Sequence, residues 1–212
     1  MEIKEQETLK ALLSGMHNAV IVEAGAHDCE TMQKFMAWLP NKPAHYLAIE
    51  PDPRNIRLIM EDLTPGVTLV EAALTEHPGR VILNMANNTW SSTVKKPTGH
   101  LSFYPDVTFV AGGEVDAVTL DQLMGEYSLP RIDLLWMDIE GAEADAIKGG
   151  TKALANTHYI WMEVWKDVAY EGHVLKDDLL GMLPKFRVVR EFDNDVLLEN
   201  TYYETGIVDD LP

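Results

Sequence analysis

The chain has 212 residues, 46% of them hydrophobic, and carries 34 acidic against 17 basic side chains for a net charge of −17. That length suits one domain with a sizeable core. Lys95-Lys96 is the one adjacent basic pair, so nucleic acid and anionic membrane surfaces, which need clustered Lys and Arg, make poor partners. A single cysteine, Cys29, precludes an intrachain disulfide and suits a reducing compartment. Residues 1–10 are charged and polar rather than a signal core. No apolar run approaches bilayer length. The expectation is a cytoplasmic protein.

In chain order, residues 3–14 read as a short amphipathic helix ended by Gly15. A buried strand at 19–24 runs into a tight turn, and residues 30–39 are helical up to Pro40. A second strand spans 46–50, Pro53 opens a second helix over 53–63, and a third strand runs from 67 to 71. Residues 80–84 read as a further strand. Periodicity then fails: 84–113 holds Asn-Asn, Ser-Ser, Pro97, Gly99, Pro105 and Gly112-Gly113. So long a loop in a compact domain is a lid, a binding segment or disordered. Order returns with a strand at 114–120, a helix at 121–127, an apolar strand at 132–137 and a helix from near Ala142 to Gly149-Gly150. A strand at 159–164, a substrate-side loop at 165–175 and a helix at 174–183 follow. Two closing strands, 186–192 and 195–199, flank an Asp193-Asn194 hairpin turn. Strand–helix alternation of this kind predicts an α/β fold, a mostly parallel sheet with helices on both faces and an antiparallel hairpin at its C-terminal edge.

The turn after the first strand, Glu23-Ala-Gly-Ala-His27, is the most informative stretch. In α/β sheets it lies where nucleotide-like ligands bind. Gly25 allows a close backbone approach, and Glu23 sets an anion beside it. The G-x-G-x-x-G that makes room for a pyrophosphate is missing, since Cys29 and Glu30 fill the later part of the turn. A ligand with positive character and no phosphate fits better, and S-adenosylmethionine is the obvious candidate. Glu50 closes the second strand, where an acid accepts hydrogen bonds from ribose hydroxyls. Asp52 has two readings, a ligand contact or the cap of the helix opened by Pro53. The small residues of Glu71-Ala72-Ala73 leave room for an adenine ring.

A buried apolar strand then delivers Asp138, Glu140 and Glu143 to the ligand edge. The helix dipole accounts for Glu143 and Asp145 but less well for Asp138 and Glu140. Such carboxylates can also chelate a divalent ion, yet no histidine lies close in sequence, and no metal is assigned. Removal of a hydroxyl proton calls for a general base. The candidates are Asp138, Glu140, Glu163 and His173, the last equally readable as a surface histidine. Trp90 suits stacking on a sugar or plugging the core.

Taken in order, Val-Glu-Ala-Gly-Ala (22–26), Ala-Ile-Glu-Pro-Asp-Pro-Arg-Asn (48–55), Val-Glu-Ala-Ala-Leu (70–74), Ser-Ser (91–92), Val-Thr-Leu-Asp-Gln-Leu (118–123), Met-Asp-Ile-Glu-Gly-Ala-Glu (137–143) and Trp-Met-Glu-Val (161–164) resemble the FkbM family. Its members are S-adenosylmethionine-dependent methyltransferases, mostly acting on hydroxyls. The resemblance covers residues 19–165 and implies a Rossmann-like class I methyltransferase with a seven-stranded sheet, as one domain over 1–212. It places Glu23, Gly25 and Ala26 along the methionine part of the cofactor, Glu50 on the ribose and Glu71-Ala72 near the adenine. Asp52 and Ser92 join the cofactor set. Asp138 and Glu140 face the reacting centre, Asp138 also touching the cofactor. The family's first loop reads acid-x-Gly-Ala-Asn-x-Gly, whereas His27 and Cys29 stand here for the Asn and second Gly; His27 can still bond the cofactor carboxylate. The implied acceptor is a hydroxyl on a glycan or small metabolite, and a homo-oligomer is compatible with the sequence. A cofactor-binding protein without catalysis and an NAD(P)-dependent oxidoreductase are the rival readings.

Overall fold

Apolar strands alternating with helices build a seven-stranded sheet in the computed structural model, which describes residues 1–202. Residues 203–212, included in the expected single domain, lie outside the described residues. The elements are α1 (Ile3–Ser14), β1 (Val20–Ala24), α2 (Glu30–Trp38), β2 (His45–Ile49), α3 (Pro53–Glu61), β3 (Thr68–Val70), β4 (Ala73–Leu74) and β5 (Gly79–Ala86). There follow β6 (Phe109–Val118), α4 (Leu120–Glu126), β7 (Ile132–Met137), α5 (Glu143–Lys148), α6 (Thr151–Ala155), β8 (Thr157–Glu163), α7 (Lys176–Gly181), β9 (Phe186–Glu191) and β10 (Asp195–Asn200).

The main sheet has the order β3-β2-β1-β7-β8-β10-β9. All neighbours pair in parallel except β10, which is antiparallel to both β8 and β9. The closing hairpin sits at the sheet edge, as its turn sequence predicts, but the reversed strand is the inner one. Composition explains the choice. Apolar Val196–Leu198 of β10 are buried on both faces, whereas β9 carries Arg187, Arg190 and Glu191, and charges suit an edge.

Period-two alternation divides the core between the two faces. Val20, Val22, Ala24, Leu135, Met137, Ile160 and Met162 pack on one side with α4 and α5. Ile21, Tyr46, Ala48, Leu134, Trp136, Tyr159 and Trp161 pack on the other with α1 and α2. Trp136 and Trp161 stack there at 5.6 Å, and Phe35 meets Trp136 edge-on at 5.4 Å.

One expectation is corrected. The stretch 84–113 is not a single loop: β5 extends to Ala86 and β6 begins at Phe109, forming an antiparallel pair that β4 joins as a second, three-stranded sheet, order β4-β6-β5. Gly112-Gly113, a loop signal in the sequence, lies inside β6. The register shifts opposite it, between Ile82 and Asn84, and glycine within a strand commonly marks such a bulge. Only residues 87–108 remain as connection, and they include a short 3-10 turn at His100–Ser102. The helix expected to end at Gly149-Gly150 does so, but α6 follows immediately.

Gly25 sits where β1 and β7 deliver their turns to the same edge. Its φ is +84°, and a Cβ there would stand 1.9 Å from the Asp138 carbonyl oxygen. Gly25→Ala is therefore expected to destabilise the fold by more than about 3 kcal/mol, read by chemical denaturation. Gly125→Ala, in α4 with nothing within 4 Å, should instead stabilise by up to ~1 kcal/mol.

Candidate active site

The carboxyl ends of β1, β2 and β7 open into a cleft of about 860 Å³, open to solvent at its mouth. Its floor is the β1 turn (Gly25, Ala26, His27), one wall is Ile49-Glu50, another Ala72-Ala73-Leu74, and the far side Asp138-Ile139-Glu140. Thr89, Trp90, Ser92 and Thr93 roof it from the connection after β5. The lining holds five carboxylates (Asp28, Glu30, Glu50, Asp138, Glu140) and neither Lys nor Arg.

Glu50 is held by three donors: the His27 amide at 3.0 Å, the Asp52 amide at 2.8 Å and Asn55 Nδ2 at 3.3 Å. Burial nevertheless dominates and pushes its pKa up to about 7. His27 adopts φ +49°, bonds Thr89 Oγ1 through Nε2 at 2.9 Å and lies under Trp90, the rings stacked at 3.9 Å. The Trp90 ring is exposed at the cleft mouth. That resolves the sequence alternatives for this residue, since it covers the cleft rather than filling the core.

The roof is tied down by Arg54. Its guanidinium donates to the Ala86 carbonyl at 2.9 Å, the Asn88 carbonyl at 3.2 Å and Ser92 Oγ at 3.0 Å, while pairing with Asp52 at 2.7 Å. Asn55 adds a bond to the Thr89 carbonyl at 3.0 Å. Asp52 is fully buried, caps α3 through the Arg54 amide at 2.9 Å and accepts from Ser92 Oγ at 2.7 Å. Burial raises its pKa, but the bonds from Arg54 and Ser92 outweigh that and hold it below the usual range. Of the two readings of Asp52, capping is the one observed. Asp52 is not part of the cleft lining, and Ser92, which is, spends its hydroxyl on this anchor.

Two other expected contacts are also absent from the cleft lining. Alternation along β1 turns Glu23 to the α1–α2 face. There it is fully buried, bonds the Tyr46 hydroxyl at 2.7 Å and leaves Oε1 without a partner. Desolvation lifts its pKa to about 8. Glu71 is exposed and its neighbour Ala72 lines the wall instead.

Asp138 is exposed to the cleft, yet desolvation by the surrounding walls raises its pKa, and His27 opposes this. No described residue donates a hydrogen bond to its carboxylate. Glu140, at φ +52°, takes a short hydrogen bond from the Tyr170 hydroxyl, and its carbonyl accepts from Thr93 Oγ1 at 2.7 Å. Burial, then Asp138, pushes Glu140 to about 8. Glu143 faces back into its own turn, accepting from the Ile139 and Gly141 amides at 3.3 and 3.4 Å. Glu163 stands outside the cleft, in a neighbouring hollow, with Trp165 Nε1 donating to it at 2.9 Å. Burial raises it well above the carboxylate range, helped by Asp138 and Glu140. His173 lines neither space: it packs on Trp165 and Tyr170, and its Nδ1 accepts from the Ala169 amide at 3.3 Å. No group of three or more His, Cys, Asp or Glu among the described residues could hold a metal ion. None of the described helices is long and apolar enough to cross a membrane.

Sequence reasoning missed Arg54, Asn55 and Thr89, although Arg54-Asn55 stand in the quoted 48–55 motif. It also missed Tyr46 and Tyr170, which no local pattern marks.

The folded chain holds a proton on Glu23 up to about pH 8 that the unfolded chain loses near 4.5. Stability from this group is therefore full below 4.5 and drains away as pH rises toward 8. Glu23→Gln should flatten the fall of unfolding free energy across that window by about one proton, ~1.4 kcal/mol per pH unit. Denaturant titrations at pH 5 and 8 measure it; an unchanged slope would mean that Glu23 is ionised in the fold.

Comparison with known proteins identifies the cleft's setting. The model of the methyltransferase FkbM domain matches residues 23–194. The 2-O-methyltransferase NoeI of Sinorhizobium fredii (strain NBRC 101917 / NGR234) is 34% identical over 195 residues, covering 86% of this chain and 79% of NoeI. The crystal structure of methyltransferase FkbM from Methylobacillus flagellatus KT shares the fold at TM-score 0.57 and 17% identity, over 90% of this chain and 47% of that one. An rRNA methylase from Streptococcus thermophilus does so at TM-score 0.50 and 10% identity, over 92% and 93%. With its sheet order, its cleft at the β1 and β2 turns and these matches, the chain belongs to the FkbM family of S-adenosylmethionine-dependent methyltransferases.

Proposed function

We propose that the protein transfers a methyl group from S-adenosylmethionine to a hydroxyl of a sugar or small metabolite. The observation that carries this reading is the chemistry of the cleft lining: five carboxyl groups and neither Lys nor Arg. A pyrophosphate would find no basic side chain to neutralise it there, whereas a sulfonium or an α-amino group finds carboxyl oxygens. The same observation disfavours NAD(P). The described residues fit the cofactor: Glu50 lies at the strand end that suits ribose hydroxyls, the Ala72-Ala73-Leu74 wall suits a flat base, and the Gly25-Ala26-His27 turn suits the methionine end. The name of NoeI, a 2-O-methyltransferase, supports oxygen as the atom methylated. The single, buried Cys29 supports a cytoplasmic setting.

Held there, the cofactor would supply an electrophilic methyl group; the acceptor oxygen would form the new bond while the electron pair of the broken bond stays with sulfur. Charge disappears in this step, so alignment is the protein's main contribution, worth up to about 7–11 kcal/mol. The roof closed by Trp90 and anchored by Arg54 limits water. Asp138 is the base of this reading, because its carboxylate faces the cleft free of donors and can take the hydroxyl proton. Glu140 already takes the Tyr170 hydroxyl and Glu163 the Trp165 Nε1, so their carboxyl groups are engaged where that of Asp138 is open to the acceptor. His173, bonded through Nδ1 and off both surfaces, has no part in it.

Calorimetry with S-adenosylhomocysteine and NAD in parallel tests the cofactor assignment: micromolar binding of the first and none of the second is expected. Glu50→Gln should weaken S-adenosylhomocysteine about tenfold. Asp138→Asn should bind it and lose methyl transfer by roughly 10²–10⁴. Binding of NAD alone, or full activity in Asp138→Asn, would overturn the reading.

A further inference from the structure

A second hollow, about 510 Å³, lies beside the cleft and is lined by Phe103, Tyr104, Glu163, Trp165, Lys166, Asp167 and Asn194. Two chain segments build it, and they are clasped together. The amides of Thr98, Gly99 and His100 all point at the Ala169 carbonyl, at 3.1, 2.9 and 3.0 Å. The Glu171 amide returns a bond to the Lys96 carbonyl at 2.8 Å. The segments approach so closely at Gly99 that a Cβ there would stand 2.2 Å from the Val168 carbonyl oxygen. The clasp thus fixes where the Phe103 and Tyr104 rings stand relative to Trp165.

Those rings are left open. Phe103 and Tyr104 are 42% and 47% exposed. They stand steeply to the Trp165 ring, at 68° and 82° with centroids 6.1 and 6.4 Å away. The result is a corner rather than a slot between parallel faces. A flat aromatic ligand is best held by parallel faces. A chair-shaped ring is different: its axial C–H bonds meet the negative face of one aromatic ring while its equatorial hydroxyls point sideways to polar groups. The hollow supplies both, with aromatic walls and a rim of Asn194, Lys166, Asp167 and Glu163. Lys166 is its one basic side chain and has Asp167 beside it in sequence, so a phosphorylated or carboxylated ligand finds little to neutralise it.

Position connects the hollow to the chemistry. Glu163 belongs to the hollow, while Asp138 and Glu140 belong to the cleft, and these last two act electrostatically on Glu163. Tyr170 bonds Glu140 on one side and packs edge-on against Trp165 at 6.0 Å on the other. Glu140 and Tyr170 thus link the cleft to the Trp165 wall of the hollow.

We infer that the hollow holds the methyl acceptor as a neutral saccharide ring, its C–H face on the Trp165–Tyr104 corner and one hydroxyl directed past Glu163 toward the cleft. This rests on the O-methylation reading above and adds the acceptor's class and its seat. Saccharide specificity then lies in the clasped segments 98–104 and 165–170, away from the cofactor walls.

The test uses the full chain saturated with S-adenosylhomocysteine and a panel of neutral methyl hexosides and 6-deoxyhexosides, with a simple phenol as comparison, observed by saturation-transfer NMR. At least one glycoside is expected to bind, and Tyr104→Ala and Trp165→Ala should each weaken it on the order of tenfold while S-adenosylhomocysteine affinity stays within twofold. Tyr104 is half exposed, so its variant folds even where Trp165→Ala does not. Glycoside binding that ignores both substitutions, phenol binding in preference to every glycoside, or no glycoside binding to the loaded protein would each overturn this inference alone. Failure of the wild-type chain to bind S-adenosylhomocysteine would overturn the cofactor reading and this inference with it.

Discussion

The cleft depends on one close approach. The turns after β1 and β7 meet so tightly that only a hydrogen atom fits between the Gly25 Cα and the Asp138 carbonyl. The backbone seals the contact, with the Asp138 amide bonded to the Ala24 carbonyl at 3.1 Å and the Gly25 and Ala26 amides both on the Ile49 carbonyl. Three strand ends are thereby locked at one level. Everything that faces the ligand edge takes its height from this junction: His27 above Gly25, Glu50 after Ile49, and Asp138 itself. A side chain at Gly25 would part the strands and displace the acids together.

A second level of order sits on the first. The roof is not a free lid but a connection stitched to α3 by Arg54 and Asn55, whose partners are mostly backbone carbonyls. Asp52 makes this possible. As a buried anion it would be costly alone, but it caps a helix, neutralises Arg54 and accepts from Ser92 at once. The acid that family resemblance assigns to the ligand thus works on the protein's own chain, and Glu50, two residues earlier, is left to the cleft. Likewise, Tyr46 and Glu23 face each other across β1 and β2 beneath the site, where burial and not a ligand sets the protonation of Glu23.

The sheet was legible in the chain because its strands are short apolar runs bounded by Gly, Pro or charge, and the β1 turn was legible from Gly25 and the absence of further glycines. Reading β1 as a uniformly buried strand hid its alternation. Glu23 shares a face with Ile21 and therefore points away from the cleft, which the register with Tyr46 decides. The length of β6 was hidden for the opposite reason: two glycines that accommodate a bulge look, one by one, like loop. Tyr170 and the clasp around Ala169 were beyond reach, since contacts between residues 30 to 75 positions apart leave no periodic trace.

Cys29 carries a consequence of a different kind. It stands in the left-handed region at φ +73°, at the start of α2, with its sulfur sealed into the Phe35–Trp136 side of the core. Burial, then the nearby Glu23, lifts its thiol to about 11, so reagents that need a thiolate find almost none. The chain therefore contains one native chemical clock. The rate at which a thiol reagent modifies this single sulfur reports how often the first turn of the cleft opens, and no engineered label is needed to read it.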